Sequence, residues 1–203
     1  SSSSAASDVY KRQPEGFVCA TEDKHEKTVM DLLGDDIKRK DIFPAGRLDK
    51  DTIGMVLITN DGTLSHRILS PKKHIPKYYI VKLAESFQED YVRQFAEGVI
   101  IDGGEKCLPA KVKRFPDCEK TAFIELHEGK YHQIKRMFSA VENSVEKLCR
   151  IQMGGLLMPE KLAIGEYMEI MHKDVENLLK SQCFEEVFRN ITENFSSYWI
   201  NMQ

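Results

Sequence analysis

An α+β fold is expected of this chain. Runs of β-branched and aromatic residues such as Lys77-Tyr78-Tyr79-Ile80-Val81 mark strands. Segments such as 86–99 instead carry apolar residues at helical spacing and close on glycine. The two kinds mingle without a regular strand–helix alternation, which argues against a doubly wound parallel sheet. With 203 residues, 41% of them apolar and 30% charged, the chain can build one large domain or two small halves sharing a sheet.

Residues 1–13 are set aside as a disordered or artefactual lead, because the Ser1–Ala6 tract has little to bury. The body then runs over 14–171. Residues 16–21 are expected as a short strand, and 25–33 as a short helix stopped near Gly34. Residues 42–52 form a loop bearing glycine and charge. Residues 54–59 are a buried strand closed by an Asn60-Asp61-Gly62 turn, and a short helix follows to Pro71. A strand over 77–85, a helix over 86–99, a turn near Gly103-Gly104, an alternating strand over 120–129 and a helix opened after Gly129 come next. A strand from Val145 meets a turn at Gly154-Gly155, and residues 165–171 make the last strand. Residues 172–203 read as a C-terminal helical extension. Its Val175, Leu178, Leu179, Phe184, Val187, Phe188 and Ile191 keep helical spacing, so it packs on the body as one helix or a pair.

No apolar run approaches the roughly 20 residues that cross a bilayer. Cys19, Cys107, Cys118, Cys149 and Cys183 show no Cys-x-x-Cys spacing, which suits a reducing cytoplasm better than a disulfide framework or a zinc site. His66 with His74, and His127 with His132, lack a third ligand, so no metal is expected. The net charge is −3, yet the middle of the chain is basic. Arg67, Lys72, Lys73, Lys77 and Lys82 precede a second cluster from Lys106 to Arg150, while acids gather toward the ends. That distribution fits phosphate contact, with solvated surface charge as the plain alternative.

The most informative stretch is Ala45-Gly46-Arg47-Leu48-Asp49-Lys50-Asp51-Thr52-Ile53-Gly54. A carboxylate here sits on a glycine-flanked loop ahead of a buried strand, where a rigid scaffold meets accessible backbone. Alone it would be no more than a turn or a helix cap. The string through Gly62, however, resembles the signature of the RsuA-type rRNA pseudouridine synthases. Three further stretches resemble the same family in the same order: Lys77-Tyr78-Tyr79, Lys130-Tyr131-His132-Gln133-Ile134-Lys135-Arg136-Met137-Phe138, and Leu148 through Leu157.

The resemblance implies a pseudouridine synthase fold, a mixed and mainly antiparallel sheet flanked by helices, working without a cofactor. It assigns the catalytic carboxylate to Asp49, the base-stacking aromatic to Tyr79 and the cation paired with Asp49 to Lys135. Arg47, Lys72, Lys73, Lys77 and Arg136 are then expected to hold the RNA backbone, and Tyr78, on the opposite strand face, to be core. The implied reaction is isomerisation of a uridine in 16S rRNA (of the uridine 516 type) by a monomer, with naked RNA or a pre-ribosomal particle as substrate. 23S rRNA, a non-catalytic RNA-binding assembly factor and a two-carboxylate glycosidase are the alternatives. The small S4 RNA-binding domain that precedes most members of the family is not visible ahead of Pro14.

Overall fold

In the computed structural model, residues 8–38, 41–70, 72–73 and 75–194 are described. The strands are β1 (Asp8–Gln13), β2 (Phe43–Pro44), β3 (Ile53–Thr59), β4 (Lys77–Leu83), β5 (Ile100–Ile101), β6 (Glu105–Lys106), β7 (Lys111–Arg114), β8 (Thr121–Leu126), β9 (Val145–Met153), β10 (Leu156–Leu157) and β11 (Tyr167–Glu169). The helices are α1 (Asp35–Lys38), α2 (Gly62–Leu69), α3 (Asp90–Glu97), α4 (Gln133–Ala140), α5 (His172–Leu178) and α6 (Phe184–Asn194). The main sheet runs β11-β1-β3-β9-β4-β8-β7, with β2 added to β3 and β10 to β9, while β5 and β6 form a separate hairpin. β3 and β9 pair parallel through Ile53–Cys149 and Gly54–Arg150. The other named pairings of this sheet are antiparallel. The expected α+β class and mainly antiparallel sheet are what the structure has.

The central strands are apolar on both sides because both faces of the sheet are covered. In β3, Val56 and Ile58 enter one core, and Met55 and Leu57 enter the other. β4 does the same with Tyr79, Val81 and Leu83 against Tyr78 and Ile80. Successive side chains of a strand point to opposite faces, so one run of apolar residues serves two layers. Helices α3 and α4 close the first face through Tyr91, Phe95, Met137 and Phe138. The second is closed by α2 and by the C-terminal helices, whose Phe184 and Phe188 rings lie 5.5 Å from Phe123. The extension therefore packs on the body as expected, as a pair, and Tyr78 is core, stacked on Phe123 at 5.8 Å.

Several local expectations are corrected. Residues 8–13 lie within the fold: they form β1, inserted between β3 and β11. The polar lead masked a pairing whose partners are remote in sequence; residues 1–7 lie outside the described residues. The strand expected at 16–21 is a bend with one isolated bridge, Val18 to Thr28, since no neighbouring strand offers it a longer ladder. The helix expected at 25–33 contracts to a 3₁₀ turn, Val29–Leu32, capped where Thr28 N donates to the Asp31 carboxylate at 2.7 Å. The strand over 120–129 is buried along all of β8 instead of alternating, because α6 covers its second face. α2 ends at Leu69; Pro71 and His74 lie outside the described residues.

Candidate active site

The loop before β3 is pegged into both cores. Ala45 belongs to one and Leu48 to the other, and Ala45 N donates to Leu57 O at 2.7 Å. With Leu48 turned inward, Arg47 and Lys50 project outward and Asp49 is half-exposed. Thr52 N closes the turn on Asp49 O at 3.0 Å. Beneath it, the Arg150 side chain reaches up from β9: its Nε donates to Met55 O at 2.9 Å and its Nη1 to Arg47 O at 3.3 Å. The parallel β3–β9 pairing makes this possible. It brings the strands so close at Gly54 (φ 115°) that any Cβ there would collide with the Arg150 carbonyl.

Asp49, Arg47, Tyr79 and Lys135 line one cleft of about 490 Å³, together with residues 128–134. Its far wall is the turn leading into α4, which Gln133 organises. The buried Gln133 accepts from Lys130 N at 2.9 Å and donates to the Glu128 carboxylate at 2.7 Å. His132, the residue capping α4, takes a left-handed conformation (φ 48°, ψ 36°) that a side chain other than glycine seldom adopts. Its ring stacks on that of Tyr131 at 3.8 Å, and Tyr131 itself is 75% exposed at the mouth of the cleft.

The ion pairs differ from expectation at one point. The side chain facing Asp49 is that of His132, with Nε2 3.7 Å from Oδ1. Lys135 Nζ bonds Asp51 at 2.5 Å instead. The cap of α4 stands opposite Asp49 and the first helical turn opposite Asp51, so each helix residue takes the acid nearest to it. Burial works against ionisation of Asp51, but the Lys135 hydrogen bond and charge outweigh it and hold the carboxyl below its ordinary value.

The expected RNA-contacting residues divide. Arg47 is exposed and borders the cleft; Lys72 and Lys73 are exposed after α2. Arg136 is committed internally: Nε to Asp102 Oδ1 at 2.5 Å, Nη2 to Asp102 O and Nη1 to Tyr131 O, which ties the β5–β6 hairpin to α4. Lys77 is half-buried, and burial together with the Arg150 charge holds its ammonium pKa down to about 8. His132, Gln133 and Arg150 lie within the family-like strings, and none of the three was expected in the catalytic set. Only the neighbours they meet in space distinguish them from ordinary polar residues.

Residues 9–140 match the family model described as RNA pseudouridylate synthase. The chain belongs to that family. Over 172 residues it is 44% identical to a Bacillus subtilis (strain 168) protein named as an uncharacterized RNA pseudouridine synthase, covering 84% of this chain and 72% of that one. A Vibrio vulnificus (strain CMCP6) protein named ribosomal small subunit pseudouridine synthase A is also 44% identical, over 173 residues, with coverages of 85% and 73%. A solved pseudouridylate synthase structure superposes with a TM-score of 0.79 at 37% identity, spanning 85% of this chain and 74% of the other. As a member of this family the chain is an RNA pseudouridine synthase, as its motifs led us to expect. No helix among the described residues is long and apolar enough to cross a membrane.

Proposed function

We propose that this chain isomerises a uridine of ribosomal RNA to pseudouridine, with small-subunit 16S rRNA as its substrate, acting as a cytoplasmic monomer. One observation carries the reading most: in a chain of this family, Asp49 and Tyr79 line a single cleft of about 490 Å³, within the range of small-molecule sites. The small-subunit preference is supported by the names of its relatives from Vibrio vulnificus and Vibrio cholerae.

The chemistry asked of the site is a bond exchange. The N1–C1′ bond of the uridine breaks, the base turns, and C5–C1′ forms; C5 gives up its proton and N1 gains one. The target must leave its stack to be reached. Asp49 supplies a carboxylate to the ribose C1′ or to the uracil ring, either of which needs an anion that is accessible and fixed in place. Pegging by Leu48 and the hydrogen bond from Arg150 to Arg47 O hold the loop that carries it. The Tyr79 ring offers the apolar stacking face, and its hydroxyl is the group assigned to removal of the C5 proton. Arg47, Lys72 and Lys73 attract the backbone.

Tritium release from 5-tritiated uridine in unmodified 16S and 23S transcripts tests this. Release confined to 16S supports the proposal in full, and release confined to 23S moves the substrate to the large subunit. Binding without release, from transcripts and from assembled small subunits alike, would favour a non-catalytic RNA-binding factor.

A further inference from the structure

A second cavity, of about 660 Å³, adjoins the cleft, and Arg47, Tyr79, Glu128 and Gly129 border both. Three basic side chains line it: Arg47, Lys77 and Arg150. Arg150 is 1% exposed, and after its bonds to Met55 O and Arg47 O its Nη2 has no hydrogen-bond partner. No carboxylate among the described residues pairs with Arg150 or with Lys77. The acid on the cavity wall, Glu128, is occupied elsewhere. Its Oε1 accepts from Leu108 N and from Gln133, and its Oε2 lies 3.5 Å from Lys130.

The remaining titratable neighbours supply no anion either. The His127 ring is bonded to Glu125 at 3.0 Å. The buried Cys19 thiol donates to Gly46 O, and desolvation pushes its pKa up. A buried cation without a counter-charge costs several kcal/mol, and proteins keep such groups where a partner arrives from outside. The buried Arg150 guanidinium and the half-buried Lys77 ammonium beside one open cavity point to a site for an anion.

We propose that this second cavity seats a phosphate of the RNA strand, held by Lys77 and Arg47 above the buried Arg150 charge. The phosphate belongs to a nucleotide adjoining the target uridine, because Tyr79 and Arg47 wall both cavities. The proposal rests on the RNA reading given above and adds to it the ligand group, its seat and a role for Arg150. It also makes binding sensitive to pH. Lys77 in the free protein titrates near 8, and a bound phosphate raises that value. The Lys77 contribution to affinity is therefore full below that pH and fades as pH rises through it.

The test measures binding separately from turnover, by fluorescence anisotropy of a labelled 16S transcript with Asp49→Asn protein. Lys77→Met and Lys77→Arg are made in the same background. At about pH 7, Lys77→Met is expected to weaken binding about fivefold to tenfold and to lower the log–log salt slope by about 1. The parent loses a similar factor between about pH 7 and about pH 9.5, whereas Lys77→Arg keeps its affinity across that range, since a guanidinium does not titrate there. Inorganic phosphate, added at constant ionic strength, competes with RNA in the parent and not in Lys77→Met. Affinity, slope and pH response unchanged in a folded Lys77→Met protein would overturn the proposal. Should that variant fail to fold, a Lys77→Arg protein with the parent's pH response would overturn it equally. Tritium release by the Asp49 protein on the same transcript keeps the two readings apart. Release without a Lys77 effect removes the phosphate seat alone; neither binding nor release removes the RNA reading and the seat with it.

Discussion

Replacing Asp49 by asparagine should abolish turnover while leaving the fold nearly intact, and the structure sets the size of both effects. The ion pair that the Asp49 side chain makes is with His132 Nε2 at 3.7 Å. Even with a full charge on the imidazole, Coulomb's law gives such a pair about 1 kcal/mol in water and about 4 kcal/mol at an effective dielectric constant of 20. The side chains are 31% and 37% exposed, so the range of about 0.2–1 kcal/mol measured for solvent-exposed pairs is the better guide. For a chain of this length that shifts the melting temperature by no more than about 4 °C. Catalysis loses its carboxylate outright, because an amide of the same shape neither attacks carbon nor holds negative charge; the expected loss is at least about a thousandfold. Tritium release and a thermal melt on the same preparation check both numbers. A variant retaining more than about a tenth of wild-type turnover would refute the assignment of Asp49. A fall in melting temperature above about 10 °C would show that Asp49 is a structural residue instead.

Asp51→Asn should reduce stability by less than about 1 kcal/mol at neutral pH, since Asp51 is 67% exposed. Its pKa lies below the ordinary 3.8, so the contribution is present above that pH and disappears as acid carries the group through its lowered value. Urea unfolding of both proteins from neutral pH into acid should show the difference closing. Gly54→Ala should destabilise by about 3 kcal/mol in denaturant unfolding, because φ is 115° and the new Cβ meets the Arg150 carbonyl. Tyr131→Ala should change stability by less than about 0.5 kcal/mol, the ring being 75% exposed. It should weaken RNA binding by about 1–3 kcal/mol in anisotropy titrations if a base stacks there, and Tyr131→Phe should restore it.

Much of the architecture could be read along the chain. β3, β4, β8 and β9 announce themselves by β-branched and aromatic runs, and α3, α4 and α6 by their spacing, because side-chain period is a local property. The Asp49 loop was legible for the same reason: its glycines, charges and following strand are contiguous. β1 was not, since a strand of mixed polarity is defined by the edges of β3 and β11 that it joins.

Within the site, sequence determined which residue types are available to the cleft, and tertiary structure decided which of them touch one another. Asp49, Tyr79 and Lys135 come from three separate segments, and all three reach the same cleft. Yet Lys135 bonds Asp51 while His132 faces Asp49, a choice set by which turn of α4 stands opposite which carboxylate. Lys77 and Arg136 read alike as basic surface residues. Folding half-buries the first beside Arg150 and binds the second to Asp102. Charge is written in the sequence, but its strength and its partner depend on burial and on distances of a few ångströms between segments up to a hundred residues apart, and only the folded chain fixes those.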